Sequence, residues 1–279
     1  NTAAMTMTAV TTLISLRRPS ASEEFTMTAA EIPALPQSCY PAVWMWPGQA
    51  LYAGPSLNLE PHSGSVWCLV VGADEDVTVT AGDIEVVARS VLVPPRLTHR
   101  LDTHGGRLVS CYVDASSNRV TACRAKCRGV AGPFALDHVN SSALEELPTD
   151  NAAAQRWLDL AAPASPSWLD PRVANAVALI AADPADAPSA QELAADVGLS
   201  ESRFLHLFHD QVGTTLRRYR LWMRLIAAGT AVRDGKNLTD AAADAGFASP
   251  SHLSDRFKST FGLTATQLLS RGTLLHLPA

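Results

Sequence analysis

The chain has 279 residues, 47% of them hydrophobic, and a formal net charge of −5. That length accommodates two ordinary domains. No apolar run approaches the roughly 18 residues of a membrane span, and no apolar stretch follows Arg17 and Arg18 as a secretory signal requires. The acidity excludes a bulk nucleic-acid coat, but it is uneven. Residues 1–169 carry 11 Lys and Arg against 16 Asp and Glu, whereas residues 170–279 carry 11 of each.

Residues 1–30 form a low-complexity segment rich in Ala, Thr and Met. Residues 31–160 are expected to form a β domain. Between Ser56 and Val113 the runs SLNLEP, SVWCLVV, DVTVTA, IEVVA, SVLVPP and RLVSCYV recur every eight to twelve residues, separated by turn residues. Such spacing predicts a small antiparallel barrel or sandwich. Residues 114–130 read as a helix with Cys123 and Cys127 on one face, ringed by Arg119, Arg124, Lys126 and Arg128. Nearby cations favour a thiolate, so a redox input stands as an alternative to inert thiols. The five cysteines, Cys39, Cys68, Cys111, Cys123 and Cys127, are odd in number and widely spread. They do not suggest a disulfide framework, and a cytoplasmic location is expected. Pro163, Pro166 and Pro171 among Ala and Ser mark a linker over 161–169.

Residues 170–279 contain an internal repeat at a spacing of 48 to 49 residues. SAQELAADVGLSESRFLHLFHDQVGTT begins at Ser189 and NLTDAAADAGFASPSHLSDRFKSTFGLT at Asn237. Each copy reads as helix, tight turn, helix. Ser189 with Glu192 is a capping box and Asn237 with Asp240 a variant of it. Gly198 and Gly246 end the first helices, Ser200 and Ser249 cap the second ones, and Pro250 falls at a first helical position. The second helices bury Phe204, Leu207 and Phe208 in one copy, and Leu253, Phe257 and Phe261 in the other. Two such units predict a helix-turn-helix reader of double-stranded DNA, its recognition helices about one helical turn of DNA apart. The expected base readers are Ser202, Arg203, His206 and His209 in the first helix. In the second they are Ser251, His252, Ser254 and Asp255, flanked by Arg256 and Lys258. A long helix over about 215–232 joins the units, and its Arg217, Arg218, Arg220 and Arg224 are candidates for phosphate contacts.

These residues resemble the DNA-binding domain of AraC-type transcription regulators. Ala242, Gly246, Phe247, Ser249, Ser251, Leu253, Phe257, Lys258, Gly262 and Thr264 occupy the marked positions of that family's second unit, and LDPRVANAVALIAAD resembles its opening helix. Ala265 stands where the family usually has Pro, and Asp255 where it usually has a basic residue. An Asp accepts from cytosine N4. The segments GPSLNLEPHSGSVWCLVV and VLVPPRLTHRL resemble the cupin-like effector and dimerisation domain of such regulators. His62 and His99 fit two places of a cupin metal set, but Gly64 replaces another, so no metal and no cofactor are expected. An organic effector pocket lined by His62, His99, Trp44, Trp46 and Trp67 is expected instead. The resemblance implies an α+β fold: an N-terminal antiparallel β-barrel or cupin-like domain, then an all-α domain with two helix-turn-helix units. It also implies a promoter-binding activator that is a homodimer, takes a small-molecule effector, meets RNA polymerase and touches no membrane. The alternatives are the same regulator with a thiol or metal input and, more distantly, a cupin enzyme, for which no complete catalytic set stands out.

Overall fold

The computed structural model describes residues 41–165 and 169–278. The low-complexity segment, Cys39 and residues 166–168 of the expected linker lie outside them. The first part of the described chain is mainly strands: β1 (Ala42–Trp46), β2 (Gln49–Pro55), β3 (Trp67–Gly72), β4 (Val77–Ala81), β5 (Ile84–Ala88), β6 (Ser90–Val93), β7 (Arg100–Asp102) and β8 (Arg107–Val113). Then come α1 (Arg119–Ala125), β9 (Cys127–Ala131), β10 (Phe134–His138), α2 (Ser141–Leu144) and α3 (Asn151–Ala161). The rest is helical, with α4 (Pro171–Ala182), α5 (Ala190–Asp196), α6 (Glu201–Val212), α7 (Leu216–Arg233), α8 (Leu238–Asp244), α9 (Pro250–Phe261) and α10 (Ala265–Leu269). It closes on a strand, β11 (Leu274–His276).

The expected β-barrel is not closed. The strands form an eight-stranded sheet in the order β11-β1-β2-β8-β3-β6-β10-β9 and a separate three-stranded sheet, β5-β4-β7. Among the described residues the large sheet ends on β11 and β9 and packs other layers on both of its faces. Alternation along β1 and β2 sorts the layers. Trp44, Trp46, Leu51 and Ala53 face a core shared with Leu144, Trp157 and Leu158. Met45 and Ala50 face the opposite way and join Tyr219, Trp222 and Phe208 of the helical part. Farther along that second face, Tyr52, Val70 and Leu108 pack on Val77, Val79 and Leu101 of the small sheet.

Three expectations change here. The run SLNLEP is not a strand. Pro55 and Pro61 flank it without backbone N–H groups, and from its end onward the chain bonds to the helices: Glu60 N donates to Gly262 O (2.9 Å) and, just beyond the run, Ser63 N to Ser259 O (3.1 Å). The helix expected over 114–130 stops at Ala125, and Cys127 starts β9, pairing with His138 of β10. Cys123 and Cys127 therefore do not share a helical face. Finally, β11 adds in parallel to the outer edge of β1, with Ala42 opposite Leu274 and Trp44 opposite His276.

The helical repeat forms as its caps direct. Ser189 and Glu192 close a capping box, Asn237 accepts from Thr239 N and Asp240 N, and Ser200 and Ser249 cap α6 and α9. Ala265, in place of the family's Pro, still opens a helix because Thr264 and Gln267 form a second capping box. Two glycines are irreplaceable on steric grounds. Gly246 has φ +74° and a Cβ there would lie 2.7 Å from Ala185 Cα. Gly262 has φ +78° and a Cβ would lie 2.5 Å from Glu60 O.

Trp222 joins the layers. It is fully buried, its indole N–H donates to Gly48 O (2.7 Å), and its ring lies 5.6 Å from Tyr112 and 6.2 Å from Phe261. Trp222→Ala should lower unfolding free energy by about 3–5 kcal/mol in urea titration. Trp222→Phe, which strands a buried carbonyl, should lower it by about 1–3 kcal/mol. A Phe variant as stable as the parent would show that the hydrogen bond contributes nothing.

His62 and His99 are buried side by side, ring centroids 4.4 Å apart. Burial, helped by the facing His99, holds the His62 imidazole down from 6.5 to about 4, and burial lowers His99 as well. The unfolded chain then binds protons that the native state refuses. Stability therefore falls as pH drops from about 6.5 toward about 4. Melting temperature should decline over that range, and His62→Asn should flatten the decline; an unchanged slope would place the acid sensitivity elsewhere.

Candidate nucleic-acid interface and cavity

Helix α6 buries Phe204, Phe208 and Val212, which leaves Ser202, Arg203, His206 and His209 exposed on its other faces. His206 Nδ1 lies 2.7 Å from Ser202 O, and a carbonyl can only accept. Nδ1 is therefore the donor of this contact. His209 lies 3.6 Å from Asp210. Helix α9 buries Leu253 and Thr260 and exposes Ser251, Asp255, Arg256 and Lys258; His252 and Ser254 are half-buried. Arg256 Nε donates to His252 Nε2 at 3.2 Å, and the His252 ring stands edge-on to Phe247. Each helix thus presents a polar face that mixes donors and acceptors, the requirement for reading base edges.

The arginines of α7 divide into two groups. Arg220 donates to Ala187 O and Pro188 O, and Arg224 to Pro184 O and Ala185 O, so both clasp the loop between α4 and α5. Arg218 reaches the β part, donating to Ser63 O, Ser63 Oγ and Gly64 O. Carbonyls draw these three guanidiniums inward because buried loop acceptors need donors. Three of the four arginines of the cluster thus hold oxygens of the chain itself. Arg217 is exposed, with no hydrogen bond or ion pair to the described residues. Lys258 is exposed and pairs with Glu60 at 3.0 Å.

A cavity of about 130 Å³ lies between the sheet and the helices, walled by Met45, Tyr112, Trp222, Ile226, Phe257 and Phe261, among others. Its lining is almost wholly apolar, with Ser56, Thr103, Ser110, Tyr52 and Tyr112 as the few residues that carry a polar side-chain group. The sequence-derived pocket residues are not here. Trp44 and Trp46 point to the opposite face of the sheet, where they are buried against Trp157 and Leu158. Trp67 packs beside that same core, with Arg124 5.8 Å over its ring. Their odd–even offset from Val43 and Met45 decides it: strand neighbours face opposite ways. His62 and His99 line a smaller space of about 10 Å³, room for about one water. Each ring holds a nearby carbonyl by Nδ1, at Glu60 O (2.9 Å) and Leu97 O (3.0 Å).

Sequence reasoning missed Trp222 and Ile226. Their spacing with Tyr219 and Met223 inside the arginine-rich helix was the available signal. The thiols are quiet. Burial pushes Cys123 well up and Cys127 up to about 11, so neither is a thiolate near neutral pH. Among the described residues no three His, Cys, Asp or Glu side chains are grouped to hold a metal ion, and no helix is long and apolar enough to cross a membrane.

Residues 193–271 match the model of a helix-turn-helix domain family. No curated protein sequence matched the chain. Among solved structures, it is similar to a single-residue variant of apo ToxT from Vibrio cholerae, with a TM-score of 0.51 at 12% identity, over 83% of this chain and 95% of that one. ToxT from the same organism with an unsaturated fatty acid bound gives a TM-score of 0.49 at 12% identity, over 82% and 92%. A transcriptional regulator from Chromobacterium violaceum, described as AraC-type in its DNA-binding domain, gives 0.33 at 27% identity, over 36% and 92%. The ToxT variant shares the two-part fold, β-rich in front and helical behind. The matched segment carries both capped repeats with their glycines and aromatic stripes, so residues 193–271 are a helix-turn-helix domain, which a β-rich part precedes in this chain.

Proposed function

We propose that this chain is a sequence-specific transcription regulator whose α6 and α9 read bases in double-stranded DNA, under the control of an apolar small molecule held in the cavity between sheet and helices. The observation that carries the reading is the pair of capped helices, each with one side packed inward, on Phe204 and Phe208 in α6 and on Leu253 in α9, and a polar exposed face. The base readers are Ser202, Arg203, His206 and His209 on α6, and Ser251, His252, Ser254, Asp255 and Arg256 on α9. Arg217, Arg218 and Lys258 serve as phosphate contacts. The protein works as a homodimer in the cytoplasm, meets RNA polymerase at a promoter, and carries out no chemical step of its own.

The cavity proposed here as the effector site does not include Trp44, Trp46 or Trp67. The cavity touches α7 and α9 as well as the sheet, so an occupant contacts the second reading unit directly. A site with this lining selects a largely hydrocarbon molecule with at most a few polar atoms. Such a ligand shifts DNA affinity, and DNA shifts ligand affinity by the same factor.

Selection of bound sequences from random duplexes by the full chain tests the DNA reading; recovery of no preferred sequence would sink it. Asp255→Ala should then relax a cytosine preference at one position, at a cost of about 1–3 kcal/mol, while the rest of the site is kept. An unchanged profile removes Asp255 from the readers. For the effector, an unsaturated fatty acid and a plain aromatic hydrocarbon are suitable probes. Binding to the folded chain alone must raise its melting temperature, and Ile226→Trp, which fills the cavity from α7, should abolish the rise. A shift that survives that substitution would place the ligand elsewhere.

A further inference from the structure

We propose that residues 60–65, the connection between β2 and β3, are an internal competitor for DNA phosphate, holding Lys258 and Arg218 on oxygen atoms of the chain itself; this rests on the DNA-binding reading above. The Glu60 carboxylate lies 3.0 Å from Lys258 Nζ. Arg218 Nη1 is met by Ser63 O at 3.0 Å, Ser63 Oγ at 3.3 Å and Gly64 O at 3.3 Å. A carboxylate on a lysine and a cluster of oxygens on a guanidinium reproduce the acceptors a phosphate backbone would offer.

The segment is fixed in place by bonds that do not involve these cations. Glu60 N donates to Gly262 O and Ser63 N to Ser259 O, both at the end of α9. Thr214 Oγ1, fully buried in the turn between α6 and α7, donates to Ser65 O at 3.1 Å. The close approach of Gly262 to Glu60 O, Leu59 Cβ and His62 Nδ1 shows how tightly the two surfaces fit. One short stretch of the β part thereby grips the start of α7 and the end of α9, one anchor beside each reading unit. DNA engages Lys258 and Arg218 only after this segment yields them. Leu57 and Leu59, just before it, also line the apolar cavity, so the competitor and the proposed effector site share one piece of backbone.

The test uses the full chain and mixed-sequence duplex DNA, with affinity measured across a salt series. Glu60→Gln frees Lys258 and should tighten binding roughly three- to tenfold at low salt, with a log–log salt slope steeper by about one phosphate contact. Thr214→Val leaves every charge in place but loosens the segment, and should tighten binding in the same direction. Lys258→Gln combined with Glu60→Gln should bind no better than Lys258→Gln alone. Parent-like affinity and slope in both Glu60→Gln and Thr214→Val overturns the proposal. So does a gain from Glu60→Gln that persists without Lys258, because the effect would then be the loss of one negative charge near DNA. A parent chain that binds no duplex at all overturns the DNA reading, and this proposal with it.

Discussion

The structure depends on the burial of one indole. Trp222 projects from the middle of α7 onto the face of β1, β2 and β8, and its N–H satisfies a carbonyl in the turn that joins β1 to β2. A tryptophan placed so removes a large apolar surface from water and orients it by a single polar contact. Its neighbours then fall into place: Tyr112 tilts against it from β8, and Phe261 closes over both from the end of α9. Because α7 also joins the two reading units, the residue that docks the helical layer is the residue that sets where those units can stand. The cavity beside it is the space that these large rings leave between a pleated sheet and a set of cylinders.

Charge in the helical part is arranged by the same economy. An arginine with five donors satisfies several loop carbonyls at once. Arg220 and Arg224 do this for the connection before α5, and Arg218 does it for the β part. These guanidiniums support the shape of the reader, while Arg203, Arg217 and Arg256 remain at the exposed surface. Net neutrality over residues 170–279 is then compatible with nucleic-acid binding, since what matters is which cations face outward.

The helical repeat was legible because its signals are local. A cap, a glycine and an aromatic stripe within one turn or two specify a helix-turn-helix whatever lies around it, and Ser189, Gly246 and Phe208 each did so. The β part was legible in kind but not in detail. The stretch AVWMWPGQALYAG, which becomes β1, a turn and β2, is apolar on both faces because both are covered, so it lacks the alternation that marks a half-exposed strand. The cavity between sheet and helices was not legible in the sequence. Its walls come from residues nearly the whole described chain apart, and the tryptophans that stood out in the sequence occupy the opposite side of the sheet. The sequence also concealed the partners of Arg218, since no local rule joins it to a serine about 155 residues earlier.

The parallel pairing of β11 with β1 has a consequence for how the molecule is made. Ala42 and Leu274 are about 230 positions apart, the most costly kind of contact to form early. Of the described strands that pair with β1, β2 is made next and β11 only after all the other described elements have emerged from the ribosome. Until then the ladder positions that β11 takes are unmatched by their native partner and offered to other extended segments, its own or a neighbour's. The last short strand therefore acts as a late seal, and crowded nascent chains have the longest time to pair wrongly at the strand that later carries the contact with α7.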